Sequence, residues 1–278
     1  MKPKVAWVAC LGTILAGGFI ARASDGDSVE KQLRQELADK ILSLRVPSAS
    51  KTLPFDSTGQ PLAMFSSAPW TTGGLLQVEQ VNLKRNTLEI DCQRIVLALR
   101  TGGPSSTSQT LVPIVTTRSA TVVLDLGGTP IDTNHVRAIL AKVFEPVDVK
   151  QRIAAYWTPA SQATKDIPQS EVGQVIGILE GGRLVYGSRG TLPPKVEHEP
   201  LPEYTSAARR KDFGGTAVLM VIVNEQGMPE ILELLKDLGE GLDIAALAAV
   251  SEWRFKPATH DGKPVATRIN VEVKFRPY

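Results

Sequence analysis

The chain has 278 residues, of which 42% are hydrophobic and 22% charged, and its formal net charge is +2. That length allows two domains of ordinary size, and the composition is globular rather than fibrous or disordered. The balance stays near neutral from Pro200 on, with ten Lys/Arg against eleven Asp/Glu; this excludes a concentrated basic face for nucleic acid, which a phosphate backbone requires.

The first residues have the form of an export signal. Lys2 and Lys4 precede an apolar run, Val5 to Ile20, and Ala21-Arg22-Ala23 matches an A-x-A cleavage site before Ser24. Residues 1–23 therefore read as a signal peptide, or as a short anchor through residues 5–20; sixteen positions are few for a span of ~20. With the signal removed, Cys92 is the one cysteine left. A single thiol forms no intramolecular disulfide, so core packing must hold the mature chain together.

Asp27 to Arg45 reads as an amphipathic helix. Val29, Leu33, Leu37, Ile41 and Leu44 recur at helical spacing, and Asp27 with Glu30 resembles a capping box. From Lys51 to about Leu99 the pattern changes to strands. A turn at Asp56 to Gln60 and the segment Trp70-Thr71-Thr72-Gly73-Gly74 precede Leu75 to Leu83, then Thr87 to Asp91 and Arg94 to Leu99. Their alternation and β-branched content predict an antiparallel meander. Thr101 to Ser108 reads as a loop, and Thr121 to Leu126 as a strand. Asp132 is placed to cap a helix from Thr133 to Phe144, with Val136, Ile139, Leu140 and Val143 on one face; Gln151 to Trp157 reads as a further short helix. Gly181-Gly182, between Val172–Glu180 and Arg183–Tyr186, signals a hairpin.

These elements predict an α+β domain, strand-rich, over residues 24–188. Pro193, Pro194 and Pro200 make residues 189–201 a linker stiffened toward polyproline II, reaching about 40 Å at ~3.1 Å per residue. Residues 202–278 form a second, smaller domain. It opens with Tyr204 and a short helical run, Ser206 to Asp212. A dense apolar strand follows, Thr216 to Asn224, and Gly227 supplies the positive φ of a hairpin leading to Glu230–Leu235. Asp243 is a candidate cap for a helix from Ile244 to Trp253, and Asp261-Gly262 makes a turn. From Val265 to Phe275 the odd positions are apolar or Thr. The even positions Arg268, Asn270, Glu272 and Lys274 are polar, which predicts one buried and one solvated face.

Few residues invite catalysis. His135, His198 and His260 lie in a helix start, the linker and a turn, without supporting ligands. Cys92, inside a strand, reads as a buried structural thiol. No nucleophile elbow, P-loop or dinucleotide fingerprint is present. The expectation is therefore no catalytic residue, no cofactor and no metal site. Trp253 and Phe255 read as core residues that close a helix onto the sheet.

The order Pro202-x-Tyr204, Ala208, Gly215, Gly227, Leu242-Asp243, Ala245-Ala246, Trp253-Arg254-Phe255-x-Pro257, Gly262-x-Pro264-Val265 and a final x-Val-x-Phe strand resembles the TonB C-terminal domain. Thr205 departs from it, since the family often has Pro after the Tyr. The resemblance implies two helices packed on an antiparallel sheet and a periplasmic location. It also implies that the terminal strand binds the TonB box of an outer-membrane transporter by strand addition. The implied peptide-binding residues are Tyr204, Ala208 and Arg209 together with Arg268, Asn270, Val271, Glu272, Val273, Lys274 and Phe275. Main-chain pairing would give affinity and the polar side chains register; alternatively those charges only blunt an exposed edge. Coupling to an ExbB/ExbD-type motor is the less supported part. The family's motor contact uses a histidine in the anchor, Met1 to Ala23 contains none, and no long Pro-rich segment is present. The alternative is an envelope scaffold in which this domain forms a homodimer and residues 24–188 carry specificity. Pro69-Trp70-Thr71 and Leu88-x-Ile90-x-x-x-Arg94 also look like a bacterial domain that precedes TonB-type C-termini, with no activity attached.

Overall fold

The computed structural model describes residues 26–101, 109–128, 131–146, 148, 151–152, 177–180, 183–185, 190–236 and 238–277. The expected signal segment, the 102–108 loop and most of the Gln151–Trp157 helix lie outside them. The described residues combine few helices with many strands, and they divide into two compact units. The first gathers the residues up to Ala68, Gly73–Ile95 and Arg118–Arg152. The second gathers Pro69–Thr72, Val96–Thr117 and the residues beyond Arg152.

In the first unit, helix α1 (Gly26–Leu37) buries Val29, Leu33 and Leu37. It stops earlier than the helical spacing predicts. Asp39 takes a left-handed φ of 57°, which breaks the helix, and Ile41 and Leu44 begin and end strand β1 (Ile41–Leu44) instead. Ile41 and Leu44 share a helical face but point to opposite faces of a strand; β1 buries Leu42, Ser43 and Leu44, so it carries no alternation that would mark a strand in the sequence. Strand β2 (Thr52–Phe55) ends in a turn where Asp56 Oδ1 accepts from the Thr58 and Gln60 backbone N–H. The helical turn α2 (Trp70–Gly73), mostly in the second unit, leads into β3 (Leu75–Lys84), then β4 (Thr87–Thr101) and β5 (Gln109–Asp125), whose residues from Val96 to Thr117 also belong to the second unit. β1 pairs antiparallel with β3, and β3 with β4, but β2 runs parallel to β5. The expected antiparallel meander is thus corrected: β2 leaves it and joins a strand distant in sequence.

Helix α3 (Thr133–Val143) is capped by Asp132, whose side chain accepts from the His135 N–H at 2.7 Å. It buries Val136, Ile139, Leu140 and Val143, the expected face. β6 (Phe144–Glu145) pairs with β1. Buried Arg94 donates to the carbonyls of Ser48, at 2.5 Å, and Ser50, which fixes that loop. A Cβ on Gly73 would lie 2.4 Å from Ala68 Cβ, so the close approach there needs glycine.

In the second unit, β7 (Gly177–Glu180) and β8 (Arg183–Val185) form the expected hairpin, with Glu180 opposite Arg183. Residues 189–201, expected as a linker, instead contain β9 (Thr191–Leu192) and β10 (Lys195–His198). Helix α4 (Ser206–Arg210) precedes β11 (Gly215–Val223), β12 (Pro229–Lys236) and helix α5 (Leu242–Ser251). β13 (Arg254–Lys256), β14 (Ala258–His260), β15 (Lys263–Val265) and β16 (Thr267–Phe275) complete the chain. β9 pairs with β14 and β10 with β13, so short extended stretches between prolines find partners that propensity does not reveal. β11 lies between β12 and β16, antiparallel to both, and α5 packs on β11 and β12.

Asp243 does not cap α5 as expected. Gly241 occupies the cap position, and Asp243, in the first turn, accepts from the N–H groups of Leu238 (2.6 Å) and Gly239 (3.0 Å). Its carboxylate therefore fixes the loop before the helix.

Candidate functional site

β16 is the element on which a strand-binding site would have to be built. It pairs with β11 along its whole length, from Thr267 opposite Val223 to Phe275 opposite Gly215. Thr267, Ile269, Val271, Val273 and Phe275 are buried as the alternation predicts. The other face is not uniformly solvated. Arg268 and Asn270 are only 8% and 5% exposed, Glu272 is half-buried, and Lys274 is exposed. The expected polar face therefore reaches solvent only from Glu272 on, where Lys274 Nζ lies 3.3 Å from the Glu272 carboxylate. At that end of the strand, β7 pairs antiparallel with β16, Ile178 opposite Thr267 and Gly177 opposite Arg268.

The segment after Tyr204 is brought to the far end of the same strand. The Tyr204 ring lies 6.3 Å from that of Phe275, and its hydroxyl donates to the Phe213 carbonyl at 2.6 Å. Ala208 is fully buried in the same core. Arg209 is exposed and donates to the Tyr204 carbonyl at 3.2 Å. Thr205, the departure from the family pattern, caps α4. Its hydroxyl accepts from Ala208 N–H at 3.2 Å and donates to the Glu240 carbonyl at 2.7 Å. Its φ of −66° is the value a proline ring would impose, so the backbone path is kept with different chemistry. Tyr204, Ala208 and Phe275 thus come together, whereas Arg268 and Asn270 sit toward the β7 end of β16.

The opposite flank of this sheet is closed by residues far upstream. Ala98 and Leu99 of β4 pair in parallel with Leu232 and Glu233 of β12. Thr71 and Thr72, both buried, donate their hydroxyls to the carbonyls of Glu230 and Pro229, the latter at 3.2 Å. Sequence reasoning missed all of these contacts, because no local pattern records pairing over more than 100 residues.

The family described as Gram-negative bacterial TonB protein C-terminal matches residues 200–277. Residues 200–277 are a TonB C-terminal domain. Protein TonB of Vibrio cholerae serotype O1 is 35% identical over 85 residues, 30% of this chain and 35% of that one. Protein tonB2 of Pseudomonas aeruginosa is 38% identical over 80 residues, 28% of this chain and 30% of that one. The chain thus spans about a third of the length of these curated relatives. The solution structure of the Pseudomonas aeruginosa TonB C-terminal domain is 21% identical, with a TM-score of 0.26; it covers 30% of this chain and 85% of its own.

Inside the TonB C-terminal domain, Trp253 and Phe255 are buried with ring centroids 6.0 Å apart, and they belong to the core as expected. Burial holds the Arg254 guanidinium below its ordinary range, with the Glu252 carboxylate opposing. Among the described residues, Trp253 Nε1 and Thr267 Oγ1 are buried without a hydrogen-bond partner. Of the histidines, His135 lies 3.0 Å from the Leu126 carbonyl, His260 lies 3.1 Å from the Thr191 hydroxyl, and His198 is exposed. Cys92 is buried; loss of hydration, then the nearby Asp91 and Glu79 charges, push its thiol up to about 12. A thiol so disposed is structural rather than nucleophilic. Among the described residues, no group of three or more His, Cys, Asp or Glu is placed to hold a metal ion.

Proposed function

We propose that this chain is a periplasmic TonB-like protein whose C-terminal domain captures the TonB box of an outer-membrane transporter by strand addition along β16. Coupling to energised transport is the further step that the family suggests. One observation carries the strand-addition reading. β16 pairs with β11 along its whole length, and its polar face reaches solvent at Lys274, with Glu272 half-buried beside it. An extended peptide would find backbone donors and acceptors along this stretch. Val271, Val273 and Phe275 hold the strand to the core, and Tyr204, Ala208 and Arg209 brace its end. Glu272 and Lys274 would set the peptide's register, with Arg268 and Asn270 toward the β7 end.

The test is a titration of the full chain with TonB-box peptides from the same organism's transporters. Glu272→Pro and Val273→Pro provide the control, because successive N–H groups of a strand point to opposite edges. Saturable binding, lost in the variant whose N–H points away from β11, is the expected result. A folded chain that binds none of the peptides overturns the reading.

A second reading, an envelope scaffold that dimerises through this domain, has one observation in its favour. Residues 69–72 and 96–117 belong to the same compact unit as the C-terminal domain, so the upstream chain contributes structure to it. A concentration-independent dimer through β16 would favour the scaffold, because it would occupy the edge the peptide needs.

A further inference from the structure

Strands β10 and β13 form a two-stranded sheet of their own, apart from the sheet that holds β16. Its register sets like charges against each other. Lys195 lies opposite Lys256, and His198 opposite Arg254, with a bulge between the two rungs. Opposite residues of an antiparallel pair share a face, and so do Arg254 and Lys256, two apart along β13. All four side chains therefore crowd one face of the ribbon, while Phe255 between them turns into the core. Lys195, His198 and Lys256 are exposed; Arg254 is half-buried, its guanidinium donating to the Glu252 and Trp253 carbonyls. Among the described residues Lys195 and Lys256 form no ion pair, although Glu197, Glu199 and Glu252 lie close in sequence. Like charges directly opposite destabilise a pair of strands, so this face gains from an anion laid across it.

The backbone of β10 supplies a second, independent feature. Phe255 N–H donates to the Gly227 carbonyl rather than to β10. Val196 and Phe255 are thus a rung in which neither residue bonds the other, and the Val196 N–H and C=O point to the outer edge of β10. All four β10 residues are exposed, Val196 to 45%, and β13 is the one strand paired with β10 among the described residues. Pro193, Pro194 and Pro200 lack donors and confine the open edge to a few residues.

We propose that the β10 edge binds a short extended acidic peptide, with carboxylates two residues apart and an apolar residue between them. The apolar residue would pair with the Val196 backbone and cover the Val196 side chain. Its two neighbours would then fall on the other face, beside Lys195–Lys256 and His198–Arg254. Two rungs are too few for a nucleic-acid backbone, and a free anion would leave the Val196 edge unused. The site is independent of strand capture by β16.

The test is fluorescence anisotropy of labelled peptides titrated with the full chain. The acidic probe is Glu-Val-Glu flanked by serines, and its control carries Gln in place of Glu. Wild type should bind the acidic probe at least about tenfold more tightly than the control, and less tightly as ionic strength rises. The double variant Lys195→Glu, Lys256→Glu should reverse the preference, so that a Lys-Val-Lys probe binds at least about tenfold more tightly than the acidic one. That gain of binding also shows the variant to be folded. Val196→Pro removes the outward N–H and leaves the bonds to β13 in place. It should weaken acidic-probe binding at least about threefold while keeping a cooperative urea transition. Equal affinity for the acidic and Gln probes in wild type overturns the proposal. So does acidic-probe binding that Val196→Pro leaves at full strength, because the cations alone would then hold the carboxylates, with no strand added to β10.

Discussion

At the scale of single residues, Gly227 shows how one position joins two elements. It sits in the β11–β12 turn with φ +75°, and its carbonyl accepts from Phe255 N–H at 2.9 Å. A Cβ there would fall 1.8 Å from the Phe255 carbonyl oxygen. Alanine therefore meets both a disfavoured φ and a backbone clash that no rotamer can relieve. Gly227→Ala is expected to cost more than about 2 kcal/mol, read as a lower urea midpoint with an unchanged slope. A loss under 0.5 kcal/mol, the ordinary range for a surface site, would show that the turn and β13 separate easily.

Cys92 gives a prediction in pH. Its folded value lies above the ordinary thiol value of 9.0, so folding favours the neutral form. That contribution is complete below about pH 9 and is lost as pH rises from 9 toward 12. Other groups also titrate in that window, so the comparison must be with Cys92→Ala. The variant is less stable at pH 8, because a buried side chain is truncated. Between pH 8 and 10.5, however, its urea midpoint should fall by less than that of wild type. Parallel loss in the two proteins would remove Cys92 from the alkaline transition.

At the scale of elements, α4 is too short to stand on propensity, at five residues. Its start is fixed by the Thr205 hydroxyl, which also reaches the Glu240 carbonyl. Thr205→Ala should cost about 1 kcal/mol, the usual loss for a cap. Thr205→Pro keeps the backbone angle but supplies no hydroxyl, so its thermal midpoint should fall to a similar extent; full stability in either variant would deny the cap a role. Other elements were legible because the information is local. The four buried positions of α3 lie on one helical stripe, and the turn at Gly227 needs an angle that glycine supplies. The even face of β16 was legible only in part. Alternation says which side chains share a face, and it is silent on how far that face is buried, as it is at Arg268 and Asn270. β5 begins at Gln109, well before the expected Thr121, and Pro113 inside it is the kind of residue that argues against a strand. For the candidate site, the apolar anchors could be read from period two, whereas β7 on one flank and β4 on the other could not.

At the scale of the whole molecule, the C-terminal domain is bounded differently in sequence and in space. The family match begins at residue 200, but the core around β11 and α5 also contains Val96 and Ala98, with Ile114 packed against it. An excised fragment, residues 200–278, would lose β4 from the edge of β12. It would also lose the Thr71 and Thr72 hydroxyls that meet the carbonyls of Glu230 and Pro229. Buried Leu232, opposite Ala98, would lie on an unpaired edge. Exposed apolar edge strands pair with whatever strand is available, most readily another copy. The fragment should therefore unfold at a lower urea concentration than the second unit of the full chain, and it should self-associate as its concentration rises in sedimentation velocity. Adding Leu232→Lys to the fragment should reduce that association, since a charge on an edge opposes pairing. A fragment that remains monomeric and as stable as the full chain would mean that β4 and α2 are accessories to a self-sufficient domain. The contrast also bears on the scaffold reading. A dimer formed by the fragment but not by the full chain would be a product of the cut edge at β12, and only association of the intact chain through β16 would speak for a scaffold.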